Sequence, residues 1–225
     1  MAHSEARAIE ERSVRVTVGG AVVDGDLRIP QDARGIVLFA HGSGSSRHSS
    51  RNRYVARVLN EAGLATLLID LLTAEEEAVD IRTAHLRFNI GLLAERLIGA
   101  TDWLKQNDDT EKLAIGYFGA STGAAAALVA AAERPRLVNA VVSRGGRPDL
   151  AGPALKKVQA PTLLIIGGND TQVIELNQIA LVRLNCEKQL SIVPGATHLF
   201  EEPGALDEVA RLAAQWFLKW LEDKG

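Results

Sequence analysis

The chain has 225 residues, of which 47% are apolar and 24% charged, with a formal net charge of −3. This balance belongs to a globular chain able to bury one full core, and it excludes a disordered or collagen-like polymer. The slight acidic excess argues against a phosphate-tracking surface for nucleic acid, and no apolar run approaches the length of about eighteen residues expected of a membrane-spanning helix.

A single domain over residues 1–225 is expected, with 1–12 as a flexible or peripheral N-terminal segment. That segment is charged and lacks the apolar core of a secretory signal. The one cysteine, Cys186, has no internal disulfide partner, so a cytoplasmic location is the default expectation. Cys186 ends an apolar, helix-like stretch and reads as a buried thiol rather than a reactive one.

In chain order, Val14 to Val18 and Ala21 to Ile29 are β-branched runs around Gly19-Gly20, the pattern of an antiparallel hairpin. Short, wholly apolar runs then recur at Gly35 to Ala40, Ala65 to Ile69, Leu113 to Phe118, Asn139 to Val142, Thr162 to Ile166 and Gln189 to Val193. Strands apolar on both sides belong to a parallel sheet covered on both faces. Amphipathic stretches of helical length separate them at Asn52 to Ala62, Thr83 to Gln106, Thr122 to Glu133, Gln172 to Leu184 and Ala205 to Glu222. The expected fold class is therefore α/β, a doubly wound and mostly parallel sheet with an N-terminal antiparallel hairpin. Thr73 to Asp80, with three consecutive glutamates, reads as a solvated connection. The five arginines between Arg34 and Arg57 read as a solvated loop and helix face.

In such sheets reactive groups lie where loops leave the carboxyl ends of strands. Directly after Leu113 to Phe118 comes Gly119-Ala120-Ser121-Thr122-Gly123, followed by an alanine-rich helix. This is the G-x-S-x-G pattern in its strand-to-helix context, where a strained corner presents the serine hydroxyl above a helix N-terminus. The bland alternative is a tight turn with a serine cap. Serine needs a base that is itself held in place. Gly167-Gly168-Asn169-Asp170 follows one later strand and Pro194-Gly195-Ala196-Thr197-His198 the next, giving the chain order Ser, Asp, His. Asp170 has a second reading as the cap of the following helix. His3, His48 and His85 are less well placed for the base than His198. His41-Gly42-Ser43-Gly44 ends the first parallel strand and can aim backbone donors at an oxyanion. The expected donors are the N–H groups of Ser43 and Thr122, with His41 bracing the loop rather than serving as a second base.

With these segments in register, the chain resembles the dienelactone hydrolase branch of the α/β-hydrolase superfamily, from Val14 to Leu221. The resemblance implies an α/β-hydrolase fold and a catalytic set of Ser121, Asp170 and His198. One departure is that dienelactone hydrolases carry a cysteine at the elbow where this chain has Ser121, which favours a general carboxylic ester as substrate. Only residues 143–160 separate two strands where lipases carry a large helical lid, so no large lid is expected and small or short-chain acyl groups are favoured. Arg144 and Arg147 follow a strand and read either as binders of a substrate carboxylate or as loop-bracing ion pairs.

The expected function is hydrolysis of small carboxylic esters through an acyl-enzyme on Ser121, with neither metal nor organic cofactor. The expected partner is a small-molecule ester, not nucleic acid or membrane, and the state is monomer or homodimer. The same triad also suits a thioesterase, amidase, peptidase or acyltransferase, and a hydrolase-like fold used only to bind ligand is the reading from another class.

Overall fold

The computed structural model describes residues 9–222. Residues 1–8, most of the expected N-terminal segment, lie outside them. The remainder, Ile9 to Arg12, opens strand β1 (Ile9–Val18), the largely exposed edge strand of the sheet, paired with β2 (Ala21–Pro30) across the Gly19-Gly20 turn. The parallel strands are β3 (Ile36–Ala40), β4 (Ala65–Ile69), β5 (Ile115–Ala120), β6 (Val138–Arg144), β7 (Thr162–Gly167) and β8 (Lys188–Val193). They form one sheet in the order β1-β2-β4-β3-β5-β6-β7-β8, antiparallel only at β1–β2 and β2–β4.

Helices cover both faces, which explains the unbroken apolar runs. Leu38, Leu67, Tyr117 and Val141 pack on one side with α3 (Ile90–Gln106) and α4 (Thr122–Glu133). Their strand neighbours Val37, Phe39, Phe118 and Val142 pack on the other, with α1 (Ser50–Glu61) and α6 (Ala205–Leu221). Trp216 and Phe217 of α6 are buried against the sheet. Helix α4 buries nine of its twelve residues, mostly alanines, because small side chains let a helix lie close on strands.

Two expectations fail between β4 and β5. Thr73 to Asp80 is not a loop: Ala74–Thr83 is helix α2, started by a reciprocal capping box in which the Thr73 hydroxyl accepts from the Glu76 N–H and the Glu76 carboxylate accepts from the Thr73 N–H. Nor does one helix run from Thr83 to Gln106. Ala84 takes a left-handed conformation that ends α2, a short 3-10 turn spans Leu86–Phe88, and α3 begins at Ile90. Asp80, fully buried, accepts from the N–H groups of Leu86 and Arg87 and from the Arg87 guanidinium, and so fixes that break. Residues 143–160 hold only the end of β6, a 3-10 helix at Pro148–Lys157 and flanking loop, with no large lid. Helix α5 (Thr171–Arg183) bridges β7 and β8. Among the described residues, no helix is long and apolar enough to cross a membrane.

Candidate active site

Strand β5 runs straight into Ser121, whose backbone sits at φ 51°, ψ −122°, a left-handed conformation that side chains rarely adopt. Close packing enforces the corner. A Cβ on Gly119 would lie 2.4 Å from the Ala124 Cα, and one on Gly123 would lie 2.3 Å from the Ala40 carbonyl oxygen. Both glycines of the motif are thus required by contact with neighbouring backbone. Helix α4 begins at the next residue, so its positive end lies beside the serine.

His198 leaves the loop after β8 and Asp170 the turn after β7. The His198 Nδ1 meets Asp170 Oδ2 at 2.6 Å, the carboxylate being mostly buried. Asp170 occupies the N-cap position of α5, yet its side chain makes no capping bond. The carboxylate is turned to the imidazole instead. Ser121 and His198 line one cavity of about 230 Å3, together with Gly42, Ser43, Arg51, Asn52 and Arg144 among others. Among the described residues, no hydrogen bond joins the Ser121 hydroxyl to the His198 ring in this resting state; such bonds are often long before substrate arrives.

The loop after β3 is held by side chains. His41 is buried; its Nε2 accepts from the Leu71 N–H at 3.0 Å, so the proton is on Nδ1, which donates to the Gly42 carbonyl at 2.9 Å. Burial pushes the imidazole pKa down, and the Gly42 hydrogen bond and the charge of Asp70 oppose that only in part. His41 is therefore a neutral brace. Further along, the Arg47 backbone N–H and guanidinium both donate to the Asp70 carboxylate. At the loop's start, the Ser43 N–H donates to the Thr122 hydroxyl at 3.0 Å. That bond ties the loop to the first residue of α4, setting the Ser43 and Thr122 backbones side by side next to Ser121.

The two arginines after β6 have different fates. Arg147 is bound in a two-point pair to Asp149, at 2.9 and 2.8 Å, which raises its pKa and turns it to bracing its loop. It is not among the residues lining the cavity. Arg144 does line it, and its carbonyl accepts the Ser121 N–H at 3.3 Å. Arg51, within the run expected to be solvated, also lines the cavity; neither its charge nor its spacing marked it. Cys186 is half-buried near the Thr162 hydroxyl and burial raises its thiol pKa, the state of an unreactive cysteine.

A mostly parallel eight-stranded sheet with helices on both faces, a strained serine elbow and a histidine–carboxylate pair at the carboxyl ends of the strands define an α/β-hydrolase. The sequence pattern of the dienelactone hydrolase family matches residues 23–223, and the chain belongs to that family. A solved dienelactone hydrolase from Anabaena variabilis is 66% identical, superposes with a TM-score of 0.94, and aligns over 95% of this chain and 99% of its own. Est1E from Butyrivibrio proteoclasticus shares the fold at 16% identity, with a TM-score of 0.77 over 92% of this chain and 98% of its own. A Mycobacterium tuberculosis protein named "Putative phosphoribosyl transferase" is 60% identical over 213 residues, 95% of this chain. This chain spans 47% of that relative's length.

Proposed function

We propose that this chain hydrolyses carboxylic esters of small or short-chain acyl groups through an acyl-enzyme on Ser121. The observation that carries the reading is the sharing of one cavity by a strained Ser121 and by His198, itself bonded to Asp170.

In this reading Asp170 holds the Nδ1–H tautomer of His198, which leaves Nε2 free to take the proton of the Ser121 hydroxyl. The serine oxygen then adds to the ester carbonyl. The developing oxyanion accepts from the N–H groups of Thr122 and Ser43, the latter exchanging the Thr122 hydroxyl for substrate. His198 passes its proton to the departing alcohol, and water, activated by the same imidazole, releases the acid. The cavity of about 230 Å3 lies below the range of roughly 300–1,000 Å3 typical of ligand pockets, and the site has no large lid, both of which suit a short acyl chain. We further propose a small free ester as substrate, a cytoplasmic setting and a monomer or homodimer as the working unit. The phosphoribosyl transferase name belongs to a relative about twice as long and describes that whole protein.

The test is labelling with a fluorophosphonate, paired with a series of 4-nitrophenyl esters of increasing chain length. The wild-type chain is expected to label and to favour acetate and butyrate over decanoate. Ser121→Ala should abolish labelling and lower kcat by about 10^5 to 10^6. Labelling that persists in Ser121→Ala would overturn the assignment.

A further inference from the structure

The short loop Gly145-Gly146-Arg147, between β6 and the 3-10 helix at Pro148–Lys157, lines no part of the cavity, yet it touches the carriers of all three proposed catalytic groups. Its Arg147 N–H donates to the Ser121 carbonyl at 3.1 Å, and just before it the Arg144 carbonyl accepts the Ser121 N–H at 3.3 Å. Both main-chain polar groups of the nucleophile are therefore bound at this place. On the base side, a Cβ on Gly145 would lie 3.1 Å from the His198 carbonyl oxygen and 3.5 Å from its Cε1. Toward the acid, the Gly145 N–H donates at 2.8 Å to the carbonyl of Ile165 in β7, the strand that leads to Asp170.

The centre of this loop is packed against neighbouring atoms and held by one side chain. Gly145 is left-handed at φ 50°, and a Cβ on Gly146 would fall 1.9 Å from Ser143 Oγ and 2.6 Å from the Ala124 Cβ. Asn177 of α5, with no exposed surface, donates from Nδ2 to the Gly146 carbonyl at 3.0 Å and to the Val173 carbonyl at 2.8 Å. Both of those oxygens can only accept, so the amide nitrogen must face them. Its Oδ1 is left buried without a partner. A half-satisfied amide is an unfavourable filling for the seam between a helix and a sheet, where a leucine of the same branching would leave no orphaned side-chain atom. The position of Asn177 gives the reason for it. Asp170 stands at the N-cap of α5, and Asn177 lies about two turns beyond it on the same helix.

We propose that Asn177 is a positioning residue for the reaction at Ser121: by tying the Gly146 carbonyl to α5, it holds the loop that seats nucleophile and base at a set distance from the acid at the head of the same helix. The inference rests on the ester-hydrolase reading of Ser121 and adds a residue outside the triad. Asn177 touches neither substrate nor reacting atoms, and acts only through the loop. Without its bond the loop is free to shift against Ser121 and His198. Displacing reacting groups by about 1 Å costs about a hundredfold in rate, so a small shift is enough to be measured.

The experiment measures kcat and KM for 4-nitrophenyl acetate, the rate of fluorophosphonate labelling and thermal unfolding in the wild type, Asn177→Leu and Asn60→Leu. Asn60 is the control: it is also a buried amide with an unpartnered Oδ1, donating to the Leu64 carbonyl and the Thr66 hydroxyl, and it does not line the cavity. In Asn177→Leu, kcat and labelling are expected to fall about ten- to hundredfold with KM within about twofold of wild type. Its unfolding temperature should drop no further than that of Asn60→Leu, which should keep wild-type kcat. Asn177→Gln, which retains a donor amide, should recover part of the lost turnover. Asn177→Ala carries the same expectation as Asn177→Leu and replaces it if the leucine variant does not fold. Wild-type kcat and labelling in the folded variant, or an equal loss in Asn60→Leu, would overturn the positioning role while leaving the esterase reading intact. A wild-type chain that labels but cleaves no ester would overturn the esterase reading, and slower labelling in Asn177→Leu would still support the positioning role.

Discussion

Two loops meet at the cavity, and they are held by opposite means. The elbow at Ser121 is fixed by its own neighbours: glycines at 119 and 123 let backbone pass within contact distance of backbone, and the positive φ follows. The loop from His41 to Ser49 is fixed by remote side-chain bonds, from Leu71 to His41, from Arg47 to Asp70 and from Ser43 to Thr122. One is a corner enforced by close packing, the other a set of clamps. The first should fail abruptly when altered, the second by degrees.

After loss of Ser121 itself, the acid–base pair gives the largest expected effect and calibrates the rest. Asp170→Asn should lower kcat by about 10^4, because an amide in place of the carboxylate favours the wrong imidazole tautomer. Rate measurement on a short aryl ester decides this, and a rate near wild type would move the acid role elsewhere.

Breaking the elbow comes next. In Gly123→Ala the new methyl would lie 2.3 Å from the Ala40 carbonyl oxygen and 2.4 Å from that of His41. Two strands of backbone would have to part, at a cost of about 1–3 kcal/mol or more. Urea unfolding should show that loss together with reduced turnover; a fully stable variant would mean that the corner is less constrained than its contacts indicate.

The clamped loop should respond most gently. Because the folded-state pKa of His41 is lowered, the unfolded chain takes up a proton near pH 6.5 that the folded chain refuses. Stability from this group is then complete above about pH 6.5 and is lost as pH falls below it toward the folded pKa. His41→Gln should cost about 1–3 kcal/mol at pH 8, if the Leu71 N–H loses its acceptor, and should flatten the decline below about pH 6.5. An unchanged pH slope in urea titrations would remove His41 as its source.

The same contrast explains what the sequence disclosed. The elbow, the Asp170 turn and the His198 loop are legible because each constraint is written into adjacent letters, as glycines and a functional side chain just after an apolar run. The sheet was legible because alternate residues such as Leu38 and Phe39 face two separate cores, which forces both to be apolar. Helix α2 was hidden because its one buried residue is Asp80, an anchor that apolar periodicity does not detect, although Thr73 and Glu76 stood at capping-box spacing. Arg51 was absorbed into a run of arginines, since only the placement of α1 turns it toward the cavity. Arg147 beside Asp149 could be paired on paper, whereas Arg144 differs by what fails to approach it in space.

The proposed acid and base, Asp170 and His198, follow β7 and β8, downstream of the elbow by some fifty to eighty positions. A chain emerging from the ribosome exposes its N-terminal portion first. Under the proposed reading, Ser121 therefore stays an ordinary alcohol until the segments that carry Asp170 and His198 have been made and have docked.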